Sequence, residues 1–337
     1  MSPTHKPTIR DIANRLGINA STVSRALSGS SLVKDDTREL ILEEARRCGY
    51  ESNPIATSLR KGVSDTVGIV VPRINRQFFA DVISNAETEL NHAGYNVIIC
   101  QTSERLQDEI RVLKTLVRSQ VACIVISHSI EDPDSSHIRE IVPDWVKLVQ
   151  FDRVFEDLPG AKIVNDNFRA SYNATRHLID RGYSRIGTLA GYMSTDLYRE
   201  RLRGYKQALV DAGRSVDDNL VFIDTIVRET GYEACKAAIE KGCDALYCAG
   251  DYSALGAMQA AKECGLVCPD DIGIVGTANE SFDALINPSL TSLDSHSEIL
   301  GRLAAQSFLD SVRTGEDPAS TTVEMDLIVR ESSSRIV

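Results

Sequence analysis

From Thr66 onward the chain alternates short apolar runs with amphipathic stretches at helical spacing, and this alternation narrows the possible folds more than any other feature. Apolar runs at 67–71, 96–100, 122–127, 147–151, 185–190, 245–249 and 272–276 read as strands. Segments at 80–93, 171–181, 201–212, 231–241 and 254–263 read as helices between them. Such an order predicts an α/β body of parallel sheets with helices on both faces. Ligands of these folds sit outside the carboxyl ends of the strands, so residues just past each strand are the first site candidates.

The first sixty residues read differently. Thr8 stands as an N-cap before Ile9, Ile12, Ala13 and Leu16 at helical spacing, with Asp11 in the first turn. Gly17 stops that helix, Ile18-Asn19 make a short turn, and residues 20–27 form a second helix stopped by Ser28-Gly29. A third begins at Asp35-Asp36-Thr37 and offers Leu40, Ile41, Ala45 and Cys48 for packing. Two short helices joined by a tight glycine-containing turn make a helix-turn-helix, whose second helix fits the DNA major groove. The alternative is a small bundle with no further role. Against it, the second helix shows Ser21, Thr22, Ser24 and Arg25 on its outer face, residue types suited to phosphate and base-edge contact.

The charge balance of −11 over 337 residues argues against a DNA binder until it is divided. Residues 1–62 hold ten Lys/Arg against seven Asp/Glu, and the remainder holds twenty-seven against forty-one. A basic head on an acidic body is the result. No apolar run is long enough to span a membrane, and the N-terminal residues lack a signal-peptide pattern, so a cytoplasmic protein is expected. The eight cysteines include no C-x-x-C pair and read as reduced, buried thiols. Enzyme signatures are missing: there is no phosphate-binding loop, no G-x-G-x-x-G opening a helix, no G-x-S-x-G and no H-E-x-x-H. The six histidines show no metal-ligand spacing, so neither a metal nor a cofactor is expected.

Two long strings make the head distinctive: T-I-R-D-I-A-x-x-L-G-I-x-x-S-T-V-S-R-A-L-S, then T-R-x-x-I-L-x-x-A-x-x-x-G-Y-x-x-N-P-I-A-x-S-L-R. They resemble the head and hinge of the LacI/GalR family of bacterial transcription regulators. In the body, V-G-I-V-V-P, H-L-I-D-R-G-Y-S-R-I-G-T-L-A-G, R-L-R-G-Y-K-Q-A-L, G-D-Y-S-A-L-G-A-M and P-S-L-T-S-L extend the likeness. The resemblance implies a helix-turn-helix head at 1–52, a hinge at 53–62 and a two-lobed, periplasmic-binding-protein-like core at 63–337. The N-lobe is expected at about 65–164 and 296–325, the C-lobe at about 165–293 plus the tail, with a ligand cleft between them.

Carried over, base reading falls to Ala20, Ser21 and Arg25, with Thr8, Thr22, Ser24 and Tyr50 near phosphates or in head packing. Ala20 is smaller than the side chains common there, so a thymine-methyl contact is the most it offers. The resemblance makes Leu59 a wedge in the minor groove, on a hinge helix too short to form alone. An ordinary linker is the other reading.

The same likeness nominates cleft residues. Phe79 matches a stacking aromatic or else packs the helix start, with Phe78 as the core member of the pair. Arg201 matches a ligand-clamping arginine, or pairs with Glu200 at the surface. Asp152 and Asp251 follow strands and are placed to accept from hydroxyls, although Asp251 can equally cap the next helix. Many members carry aspartate in a G-[YF]-D string, whereas this chain has Gly276-Thr277-Ala278. Asn279 or Glu280 takes over that contact, or it is missing. Together these features predict a homodimeric regulator that binds double-stranded operator DNA and a small-molecule effector, a sugar or sugar-derived acid, and represses carbohydrate-use genes. A tetramer is not expected, since Arg335-Ile336-Val337 close the sequence without a leucine heptad. A solute-binding protein without DNA activity is the rival, and the head argues against it.

Overall fold

In a computed structural model of the chain, the described residues are 7–27, 30, 32–50, 64–131, 134–316 and 319–335. Two compact units result, Met1–Ser64 and Asp65–Val337.

The first unit holds helices α1 (Ile9–Leu16), α2 (Ala20–Leu27) and α3 (Asp35–Cys48). Thr8 starts α1 with a capping box, its backbone N–H donating to Asp11 Oδ2 at 2.8 Å while Asp11 N–H donates to Thr8 Oγ1 at 3.3 Å. Gly17 ends α1 at φ 64°, a left-handed conformation that favours glycine. Ile12, Val23, Ala26, Ile41 and Ala45 form the buried core, with Cys48 and Tyr50 packed on its margin. Leu40 departs from the expected packing and is 51% exposed. The core face of α3 runs through Ile41, Ala45 and Cys48, and a residue one step earlier is turned about 100° away. Glu44 takes that inner face instead, accepting from Arg15 at 3.2 Å and pairing with Arg47 at 2.8 Å. The hydrogen bond from Arg47 lowers its carboxyl below the usual range. The hinge at 53–62, Leu59 included, lies outside the described residues.

The second unit contains two six-stranded sheets. The first orders 321–323, 161–165, 147–151, 123–126, 66–71 and 96–101, all paired in parallel. The second orders 326–328, 291–294, 273–277, 245–248, 186–189 and 221–222, with only 326–328 antiparallel. The expected parallel α/β architecture is therefore present, and its inner strands are apolar on both faces, as parallel sheets require. Helix 167–180 packs on the second sheet although it follows 161–165 of the first, and helix 297–314 packs on the first although it follows 291–294 of the second. With the step from 321–323 to 326–328, the chain passes between the sheets three times. Asn165 joins these passages: its side-chain amide donates to Ser295 O at 3.0 Å and to Val323 O at 3.3 Å.

All eight cysteines are free. Cys123, Cys235, Cys243 and Cys248 are buried, but Cys264 is exposed, because it follows the last turn of helix Asp251–Glu263.

Candidate functional site

The second helix of the head presents Ser21 and Arg25, four residues apart, as exposed neighbours on one face. Thr22 and Ser24 flank that face and are partly buried, while Ala20 turns its methyl to the core rather than outward. Thr8 and Tyr50 both have structural work, Thr8 in the capping box and Tyr50 against the core. The helix can therefore offer a hydroxyl and a guanidinium to a nucleic-acid groove from a rigid base.

A cavity of about 340 Å³ opens between the two sheets of the body. It is lined by Phe79, Asp152, Arg201, Asp251 and Glu280, and also by residues the sequence reading did not single out: Arg73, Arg76, Glu104, Arg153, Tyr192, Tyr198 and Tyr252. Four helices begin at its wall, and their N-cap residues Arg76, Thr195, Val227 and Gly250 provide no side-chain cap. None of these N-cap side chains takes a first-turn N–H, and at Gln77 the backbone N–H goes to Glu280 instead.

Each nominated residue has a definite setting. Arg201 is 9% exposed, donating from Nε to Asn167 Oδ1 and from Nη1 to Ala249 O, both at 2.8 Å. Glu200 is not its partner, pairing instead with Arg203. Phe79 is the buried member of its pair, packed edge-on against Phe78 at 5.1 Å and Phe151 at 6.3 Å. The expectation for Phe78 is corrected: it is half-buried and also lines the cavity. Phe79, Val82, Ile83, Ala86 and Leu90 share the inner face of helix Gln77–His92, and Phe78 falls off it.

Asp152 accepts from Ser127 Oγ at 3.3 Å, and burial raises its carboxyl pKa against the pull of Arg153 and Arg201. Asp251 is 2% exposed and is not an N-cap, since the helix begins with it and Gly250 caps. Its Oδ2 accepts Glu280 N–H at 3.0 Å and its Oδ1 accepts Ser292 Oγ at 2.7 Å, so both oxygens brace the cleft wall formed by the second sheet. Asn279 does not line the cavity: its side chain donates to Asp294 at 3.0 Å and accepts from Arg330 at 2.6 Å. These bonds pin a loop in which Ala278 sits at φ 125°, a conformation strained for any side chain. Glu280 stays at the cavity, 7% exposed, and burial with the nearby Asp251 pushes its carboxyl up to about 7.

Arg153 is the main omission. It is 7% exposed, with Nη1 donating to Glu104 Oε2 at 2.6 Å and to His128 O at 3.3 Å. Burial works against its charge, but Tyr198, Glu104 and Asp152 more than offset it and raise its pKa. Its signal was the run Phe151-Asp152-Arg153 at a strand end, where Asp152 alone drew notice. The lobes also touch across the opening: the Arg76 guanidinium lies 3.7 Å above the Tyr252 ring, and Ser281 N–H donates to Gln77 Oε1 at 2.7 Å. Among the described residues no helix is long and apolar enough to cross a membrane, and no His/Cys/Asp/Glu group has metal-site geometry.

This architecture has close counterparts. The family described as periplasmic binding proteins and sugar binding domain of LacI family matches residues 64–331, and bacterial regulatory proteins, lacI family, matches 8–53. The HTH-type transcriptional regulator RegA of Clostridium saccharobutylicum is 28% identical over 333 residues, covering 97% of this chain and 99% of the relative. A transcriptional regulator CelR–cellobiose complex superposes with a TM-score of 0.73 at 25% identity, covering 97% of this chain and all of that one. The lac repressor dimer bound to operator and an anti-inducer shares the fold, with a TM-score of 0.83 at 20% identity and coverage of 98% and 99%. A DNA-reading helix-turn-helix and a ligand-binding α/β body in one chain make a ligand-responsive, sequence-specific transcription regulator, and the chain belongs to the LacI family of bacterial regulatory proteins.

Proposed function

We propose that this regulator is a cytoplasmic homodimer that represses carbohydrate-use genes and answers to a sugar or sugar-derived acid. The observation that carries the reading is the cavity wall itself. Phe79, Tyr192, Tyr198 and Tyr252 offer ring faces and edges to C–H groups, while Arg201 is held by Asn167 and Ala249 with its charge turned to the cleft. Fixed donors and acceptors around an apolar platform suit a pyranose. A purine needs its polar edge matched, and at Ala278, Thr195 and Leu197 this chain offers little for that edge. The cellobiose complex of CelR, which covers nearly the whole chain, supports a carbohydrate.

On the DNA side, Ser21 and Arg25 read base edges, Ala20 keeps its methyl on the head's core, and Thr8, Thr22, Ser24 and Tyr50 serve phosphates or the head's own packing. Leu59 enters the minor groove when two hinges meet on the operator. Two heads on one dimer match two half-sites. A thermal-shift screen over sugars, sugar acids, sugar phosphates and purines tests the effector class, because a ligand of the folded state raises the melting temperature by mass action. Each hit is then tested for its effect on affinity for the protein's upstream DNA. A purine that shifts both readouts while no sugar does would refute the reading.

A further inference from the structure

Arg153 and Arg201 reach the cavity from opposite sheets, and each has a guanidinium nitrogen left unmet by the protein. Arg153 commits Nη1 and Nη2 to Glu104 and His128, but its buried Nε has no acceptor among the described residues. The nearest carboxylate oxygen, Asp152 Oδ2, stands 3.9 Å away, beyond hydrogen-bond reach. Arg201 commits Nε and Nη1, which leaves Nη2 for whatever enters the cleft. A guanidinium nitrogen is a donor only, so both vacancies call for an oxygen.

Local charge calls for the same thing. Glu104 is shared between Arg153 at 2.6 Å and Arg73 at 3.8 Å. Asp152 is the other carboxyl beside them, and burial favours its neutral form. Three guanidiniums therefore meet two carboxyls, one of them inclined to lose its charge. The remaining cleft acids are engaged elsewhere, Asp251 with Glu280 N–H and Ser292, Glu131 with Leu106 N–H at 3.2 Å, and Glu280 toward Arg76 and the Gln77 backbone. The four helix N-termini without side-chain caps add partial positive charge around the same space.

We infer that the effector is an anionic sugar, its carboxylate or phosphate oxygens seated between Arg153 Nε and Arg201 Nη2, and that Arg153 selects charged sugars over neutral ones. This rests on the sugar reading above and narrows it. Arg201 alone can serve neutral hydroxyls, whereas a second arginine with an unmet buried donor is suited to an oxyanion.

The test uses the full-length protein in calorimetric titrations and melting scans with matched ligands. The arms are glucose and galactose, glucuronate and galacturonate, the methyl esters of both acids, glucose 6-phosphate and galactose 1-phosphate, and a purine set. At least one acid or phosphate is expected to bind roughly 10- to 150-fold more tightly than its neutral sugar or ester, the ratio for a hydrogen bond to a charged group. The acid and phosphate arms separate the two sources of the oxyanion. Arg153→Lys, which keeps the charge and removes the forked donors, is expected to erase most of that preference while sparing neutral-sugar binding. The paired change Arg153→Met with Glu104→Gln removes both partners of the ion pair and repeats the test without stranding a buried charge. A neutral sugar or ester that binds as tightly as its acid overturns this inference and leaves the sugar reading standing. Silence from every acid and phosphate also overturns it, and if purines alone respond the sugar reading falls as well. Full preference retained in both Arg153 variants overturns the role of Arg153.

Discussion

Asp251 Oδ2 accepts the backbone N–H of Glu280 at 3.0 Å, so an acid in the first turn of one helix holds the neighbouring loop on the same side of the cleft. Gly276 permits the approach, because a Cβ there would overlap Asp251 Oδ1. Replacing Asp251 with Ala strands the donors of Glu280 and Ser292, each at a cost of about 1–3 kcal/mol. The buried Asp283, whose raised pKa keeps it protonated, loses its carboxylate partner as well. The expected net loss in urea unfolding is about 2 kcal/mol, with Asp251→Asn milder. An unchanged midpoint would show that the loop is held by other means.

The same corner is expected to make stability depend on pH. Asp283 is fully buried beside Asp251, and burial, then the Asp251 charge and a hydrogen bond between the two carboxyls, raise its pKa well above the ordinary carboxyl range. Glu280 is raised to about 7 by burial and by Asp251, with Arg76 opposing. Raised folded values mean that the native state holds protons the unfolded chain has released. The stability that these two groups contribute is therefore full below about pH 4 and is lost as pH rises through their folded values. Melting curves between pH 5 and 8.5 are expected to show this decline, flattened in Glu280→Gln and Asp283→Asn. Parallel declines in wild type and both variants would assign the pH dependence to other groups.

For the head, Arg25→Ala is expected to cost about 1–3 kcal/mol on the true operator and far less on random DNA. Band-shift titrations at fixed salt measure both. Equal losses on the two DNAs would make Arg25 a phosphate contact.

Leu59 carries a separate prediction. Leu59→Ala is expected to remove most of the DNA bend and to weaken operator binding, while the ligand-induced melting shift remains. Circular-permutation band shifts report the bend, and a normal bend in the variant would end the wedge assignment.

The α/β class was legible because strands such as Cys123–Ile126 are uninterrupted apolar runs, and Lys147–Phe151 was placed with its observed bounds. Strands Ala161–Asn165 and Thr291–Asp294 escaped notice, being short and rich in polar residues that serve the passages between sheets. Cleft helices were placed three to five residues late, at 80, 171, 201, 231 and 254, against observed starts at 77, 167, 196, 228 and 251. Four of the five lack a side-chain cap, the very signal a sequence reader uses, since their N-termini open on the cavity. At the site, the family likeness marked Arg201, and the acid missing at Ala278 drew attention to Glu280. It did not show that the Asn279 side chain turns away to Asp294 and Arg330, a choice made by residues 15 and 51 positions later.

Arg201→Lys tests whether the cleft uses a fork or merely a charge. The guanidinium bonds Asn167 Oδ1 and Ala249 O through two different nitrogens, an arrangement one ammonium cannot reproduce. Ala249 O belongs to the segment leading into helix Asp251–Glu263, and Asn167 opens the helix that follows a passage between sheets. Losing either bond frees a cleft wall as well as a ligand contact. Two results are therefore expected together. The apo protein should lose about 1–2 kcal/mol of stability, because one partially buried acceptor is left unmet. The melting shift produced by the best sugar or sugar-acid hit should fall by more than that change explains, as a fork-to-ligand contact disappears. Normal ligand shifts in an Arg201→Lys protein of unchanged stability would show that positive charge alone suffices at this position.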